Sequence, residues 1–265
     1  MENNINNFAK YLFDYDKMLN PRTAFVELDL TNFCNKDCKW CNSSTQRKFP
    51  KQYMSKEILE NELLLACEGK YGMVFTGGGE PTLNPLFPIF VDIVKKKWDS
   101  KELPSIALVT NGTHHQNIRY FLDKFDDPKR SWVRISLNDE EPSDNLINLL
   151  MEYPQRIGIS CIYGDENERH KCYKNSQNAD LILYSKFIRV RASIDFKNFH
   201  EYTTPSNCVG RLFSRVIESN GKQAFCCQSR GYEGKSRFMN KCPKDCRWSS
   251  TKEDIEKCWD MNPFT

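Results

Sequence analysis

Between residues 25 and 192 the chain switches repeatedly between two hydrophobic patterns. Short, largely apolar runs at 25–30, 72–76, 105–109, 132–138, 156–162 and 187–192 have strand length and composition. Longer stretches with apolar positions three and four apart separate them and predict helices. Ser55 can cap one whose buried stripe is Ile58, Leu59, Leu63 and Ala66, stopped by Gly69. Asn84, with Pro85 at the first helical position, predicts a second carrying Leu86, Ile89, Phe90 and Ile93, with the lysines of 95–97 complementing its C-terminus. Ile118, Phe121, Leu122 and Phe125 mark a third, and Ser143 opens a fourth with Leu146, Leu149, Leu150 and Tyr153. The polar stretch 165–183 is read as helix, as is 1–20, where Phe8, Tyr11, Leu12 and Tyr15 share a face.

Strands that alternate with amphipathic helices pair in parallel through helical crossovers, which makes the fold class α/β. Six such units fall short of a closed eightfold barrel, so the expectation is a partial (β/α)6, TIM-like barrel over 21–199. It follows the N-terminal helical segment 1–20 and precedes a small cysteine-rich extension over 200–265. Sites in such barrels gather at the C-terminal ends of strands. Four polar features fall at those ends: a cysteine loop, a glycine run, Asn111 and Asn138.

The cysteine loop is Cys34-Asn35-Lys36-Asp37-Cys38-Lys39-Trp40-Cys41, and the next cysteine is Cys67. Three close thiolates can grip one soft metal centre and leave an open position on it. A partial zinc knuckle or a redox CxxC competes for the triplet. One unit later comes Gly77-Gly78-Gly79-Glu80-Pro81, whose glycines allow close backbone approach and whose carboxylate can meet an amine. C-x3-C-x2-C with an aromatic before the last Cys, followed by Gly-Gly-Glu, resembles the radical S-adenosylmethionine (SAM) enzymes. The resemblance implies a [4Fe–4S] cluster on Cys34, Cys38 and Cys41, with SAM on its open iron. It implies reductive cleavage of SAM to a 5′-deoxyadenosyl radical that abstracts a substrate hydrogen, and an electron donor such as flavodoxin or ferredoxin. It gives Gly78, Gly79 and Glu80 the methionyl ammonium, Ser136 and Asn138 the ribose or carboxylate, Trp40 the adenine, and Asn111 either SAM or substrate. For Asn111, a turn-forming Asn-Gly is an equal alternative. Arg189 and Arg191 share a face of the sixth strand; either could meet a carboxylate, but solvent-exposed arginine is the favoured reading. Adjacent His114 and His115 do not face one another on a helix, which argues against a shared metal site. Cys67, Cys161 and Cys172 read as buried hydrophobes, Cys161 being the one whose thiol would lie near a substrate cavity.

Six further cysteines crowd the last quarter: Cys208, Cys226, Cys227, Cys242, Cys246 and Cys258. Asn220-Gly221 predicts a hairpin turn that brings Cys208 and Cys226 to one end. The region is similar to the twitch and SPASM extensions, but it lacks their full seven-cysteine pattern. One auxiliary [4Fe–4S] cluster on Cys208, Cys226, Cys242 and Cys246 is expected, Cys227 and Cys258 compete, and zinc on the same four thiolates is the alternative. The chain has 265 residues, twelve cysteines and a net charge of +3. The near-neutral balance gives no reason to expect a nucleic acid, and no apolar run is long enough for a membrane helix. Many cysteines without an export signal predict a cytoplasmic metalloprotein. The compact extension favours oxidation of a small molecule, with peptide cross-linking second and a non-catalytic iron–sulfur or zinc scaffold as the reading from another class.

Overall fold

The structure is a computed structural model, and it describes residues 25–38, 41, 49–138, 140–192, 202–203, 207–208, 214–224, 242–243 and 249–250. The helix expected over 1–20 lies outside the described residues. Strands β1 (Phe25–Asp29), β2 (Gly72–Thr76), β3 (Ile106–Thr110), β4 (Ser131–Ser136), β5 (Ile157–Tyr163) and β6 (Phe187–Ala192) are parallel neighbours in chain order. Helices α1 (Lys56–Gly69), α2 (Phe87–Asp99), α3 (His115–Lys124), α4 (Asp144–Glu152), α5 (Glu166–Ser176) and α6 (Ala179–Tyr184) form the crossovers. The expected α/β sheet of six strands is therefore present.

The sheet extends further than the six units. Beyond Tyr202–Thr203 (β7) and Asn207–Cys208 (β8), strand β9 (Ser214–Ile217) lies parallel to β1 on its free edge, and β10 (Gln223–Ala224) pairs antiparallel with β9. Part of the region after residue 200 thus completes the barrel sheet. The Asn220-Gly221 turn forms between β9 and β10: Gly221 takes φ +82°, a left-handed conformation suited to glycine, and Glu218 N–H donates to the Lys222 carbonyl at 2.9 Å. Cys208 stands outside this hairpin, on β8, and Cys226 lies outside the described residues, so the hairpin does not carry the expected pairing of the two. Short strands β11 (Cys242–Pro243) and β12 (Ser249–Ser250) pair with β7 and β8.

Strand alternation sorts the sheet into two faces. Val26, Leu28, Met73, Phe75, Ile106, Leu108, Val133, Ile135, Ile157 and Ile159 are buried under the helices. Phe75, Phe87, Phe121 and Phe125 stack as edge-on or tilted rings within that layer. The opposite, inner face carries Glu27, Asp29, Thr76, Arg134, Ser136, Ser160 and Arg189, a polar set.

The caps explain most helix starts. Ser55 Oγ accepts from Ile58 N–H and Ser143 Oγ from Leu146 N–H. Asn84 does not cap α2 as its sequence suggests. Residues Pro81–Leu83 form a 3₁₀ turn first, so α2 starts at Phe87. Asn84 is buried instead, donating to the Leu30 carbonyl at 2.7 Å and accepting from Leu86 N–H at 2.8 Å. The stretch 165–183 is two helices rather than one, because the Asn178 side chain accepts from Asp180 and Leu181 N–H and opens α6.

Candidate functional site

The cysteine loop leaves the C-terminal end of β1 and is stitched to the glycine run that leaves β2. Gly79 N–H donates to the Thr31 carbonyl at 2.9 Å and Glu80 N–H to the Phe33 carbonyl at 2.7 Å. A Cβ on Gly79 would lie 2.0 Å from the Phe33 carbonyl oxygen, so this approach requires glycine. On its other side the loop is held by β3 and β4. Asn111 Nδ2 donates to Asn35 Oδ1 at 2.8 Å, Asn35 Nδ2 donates to Thr113 Oγ1 at 2.9 Å, and Lys36 pairs with Glu140 at 2.6 Å.

Glu80 is 2% exposed and fully engaged. Oε1 accepts from Thr82 N–H at 3.1 Å, Thr82 Oγ1 at 2.6 Å and Thr110 Oγ1 at 2.6 Å, while Oε2 accepts from Asn111 N–H at 2.6 Å. Burial pushes its pKa up, against the pull of those hydrogen bonds. Thr82 and Thr110 were not singled out in the sequence. Their signal is a threonine two residues beyond the glutamate and another closing the neighbouring strand.

Cys34, Cys38 and Cys41 are half-buried. Cys34 Sγ accepts from Lys36 N–H at 3.4 Å and from Asn111 Nδ2 at 3.7 Å, and Cys38 Sγ from Asn138 Nδ2 at 3.7 Å. Among the described residues no three His, Cys, Asp or Glu side chains converge in metal-holding geometry. Trp40 lies outside the described residues.

Gly78 is buried and Ser136 half-buried at the end of β4. Asn138 departs from the period-two reading that put it on one face with Ser136. The strand ends at Ser136, and Asn138 sits beyond it at φ +55° with its Oδ1 buried and without a hydrogen-bond partner. Asn111 stands beside Gly112, whose φ is +80°. It serves both the turn and the site: its side chain binds the cysteine loop while its N–H binds Glu80. Sequence and structure differ on the place of Cys161. Cys161 shares a face of β5 with the core residues Ile157 and Ile159 and is fully buried in the helix-covered layer, a buried hydrophobe as expected but turned away from the inner face, and burial pushes its thiol up to about 12.

The sequence profile of the Radical SAM superfamily matches residues 28–175, which run from β1 through most of α5. The chain belongs to the radical SAM superfamily. A curated relative, GTP 3′,8-cyclase of Psychromonas ingrahamii, is 23% identical over 191 residues, 69% of this chain and 53% of the relative. This radical SAM chain therefore spans about half the length of that protein. Among solved structures, native anSMEcpe with bound AdoMet superposes with a TM-score of 0.57 at 17% identity, covering 88% of this chain and 82% of the other. Streptococcus suis SuiB bound to precursor peptide SuiA gives 0.55 at 13% identity over 96% and 71% of the two chains. Both likenesses concern the fold. The family implies a [4Fe–4S] cluster and SAM. Of the six later cysteines, Cys226, Cys227, Cys246 and Cys258 fall outside the described residues, while Cys208 and Cys242 are described by backbone alone, in β8 and β11. Among the described residues no helix is long and apolar enough to cross a membrane.

Proposed function

We propose that the mouth of this barrel is the SAM-cleaving site of a radical SAM enzyme, with Cys34, Cys38 and Cys41 as the cluster ligands and Glu80 as the acceptor for the methionyl ammonium. The observation that supports the reading is the backbone joint between the cysteine loop and Gly79-Glu80, which ties the loop carrying the three cysteines to the strand end carrying one buried carboxylate. The donor set fits an iron–sulfur cluster: three thiols, two already accepting amide N–H bonds, as cluster sulfurs do. The partnerless Oδ1 of Asn138 fits a nucleotide hydroxyl in the same mouth. When bound, the cluster supplies the electron that splits SAM and starts hydrogen abstraction from substrate. The chain's own contributions are binding and orientation. Thr82, Thr110 and Asn111 N–H hold Glu80 in place, Gly78 and Gly79 let the backbone close on the ligand, and Ser136, Asn138 and Trp40 contact the nucleoside.

Oxidation of a small molecule, in a protein outside the membrane and in a reducing cytoplasm, is the reaction we favour. In this reading a flavodoxin or ferredoxin would supply the electron, and Cys208, Cys226, Cys242 and Cys246 would hold a second [4Fe–4S] cluster able to take up the electron left on the substrate radical. Peptide modification is the second reading. It is favoured by the fold shared with SuiB, a protein solved with its precursor peptide. Reconstitution with iron and sulfide, followed by dithionite and SAM, tests the proposal. The wild type is expected to form 5′-deoxyadenosine, and the triple change of Cys34, Cys38 and Cys41 to Ala is expected to abolish both cluster absorbance and product. Two clusters predict roughly eight irons per chain against four for one. Wild-type protein that takes up zinc and makes no 5′-deoxyadenosine is a scaffold instead.

A further inference from the structure

The sequence favours solvent-exposed arginines on the sixth strand, with contact to a carboxylate as the alternative, and the sheet places Arg189 on its inner face. Registration runs Ser136 to Ser160 across β4 and β5, then Ser160 to Arg189 across β5 and β6, so these three residues form one polar row. Arg134 lies on the same face of β4, one strand repeat below Ser136. The orientation of β6 is fixed independently. Ile188 and Val190 pack against the core, and the Phe187 ring covers Gly158 so closely that a Cβ there would meet it at 2.2 Å. Arg134 and Arg189 are half-buried and Ser160 is 2% exposed. Strands β4 and β6 lie about 10 Å apart across β5, a gap that two long side chains can close onto a single group. The acids of this face, Glu27 and Asp29, stand on β1, three strands from β4 in the sheet order. The inner wall is thus basic on β4–β6 and acidic on β1.

We propose that the inner face of β4–β6 binds an oxyanion of the substrate, a phosphate or carboxylate, through the guanidinium groups of Arg189 and Arg134, with the Ser160 hydroxyl as a further donor. This rests on the reading of the barrel mouth as the reaction site and names the substrate class for it: a small anionic molecule, held with its charged end on β4–β6. Guanidinium forks pair bidentately with such groups, which gives orientation as well as affinity.

The test is calorimetric titration of the cluster-loaded protein with pyrophosphate and, separately, with succinate. Saturable binding of at least one is expected, and the tighter of the two identifies phosphate or carboxylate as the group recognised. R189A and R134A should each weaken that binding about tenfold or more. R189K, which keeps charge and length, should recover little of the loss, because lysine lacks the fork. R119A removes an exposed arginine paired with Glu152 and should bind as the wild type does. The proposal is overturned if neither probe saturates the wild type, if R189A and R189K bind as the wild type does, or if R119A weakens binding equally. It is also overturned if SAM affinity falls in parallel with probe affinity in R189A, since the guanidinium would then serve the SAM carboxylate. The titration does not depend on SAM cleavage, so 5′-deoxyadenosine formation by the wild type tests the radical reading separately.

Discussion

Glu80 shows how one side chain can be prepared for a charged ligand. Its carboxylate is buried, and four donor contacts from Thr82, Thr110 and Asn111 offset part of the desolvation without cancelling it. Because the folded value is raised, Glu80's contribution to ligand-free stability is full below the ordinary carboxyl pKa and is lost as pH rises through the raised value. An ammonium ligand reverses that sign, since it pairs only with the ionised form. We therefore expect SAM affinity to increase as pH climbs through the raised value of Glu80, with proton release on binding. Calorimetry in buffers of different ionisation enthalpy measures this. E80Q should bind SAM weakly with no such pH dependence, and an E80Q titration that matched the wild type would remove Glu80 from the ammonium site.

At the scale of elements, the tie that matters most beyond the six barrel units is Arg215 on β9. Its guanidinium reaches the Tyr71 hydroxyl at 3.0 Å and Glu62 on α1 at 3.2 Å, clamping β9 to α1. Burial pushes the Glu62 pKa up and Arg215 pulls it back. R215A should cost about 1–2 kcal/mol at neutral pH, less than a fully buried pair because both groups retain some contact with water. The loss should shrink as pH falls through the raised value of Glu62, where the orphaned carboxyl takes up a proton. Urea unfolding at several pH values checks the sign, and E62A/R215A should be more stable than R215A alone.

For the whole molecule, the sheet order β10-β9-β1-β2-β3-β4-β5-β6 means that β1, which launches the cysteine loop, is an interior strand. Cutting the chain after Ala192 would strip β9 and bare the edge of β1. Burial of Val216 and Ile217 contributes roughly 3–6 kcal/mol together, comparable with the total stability of a domain, before the lost ladder is counted. The truncated chain is expected to aggregate through that edge and to lose cluster uptake. Size-exclusion chromatography and iron content report both, and a soluble monomer with wild-type iron content would show that β9 is dispensable.

The sequence by itself determined the α/β alternation, the six strands, and the placing of cysteines, glycines and Asn111 at strand ends, because periodicity and turn chemistry act over a few neighbouring residues. It also identified Gly79-Glu80, since glycine runs and a following carboxylate are legible without a fold. Tertiary structure alone decided that Ser214–Ile217 pairs with a strand nearly two hundred residues earlier, and that Thr82 and Thr110 converge on Glu80. It also turned Cys161 toward the helices and Arg189 toward the inner face. Strand pairing and the facing of a strand buried on both sides depend on which partners arrive from distant parts of the chain, and a local pattern of apolar residues carries no record of them.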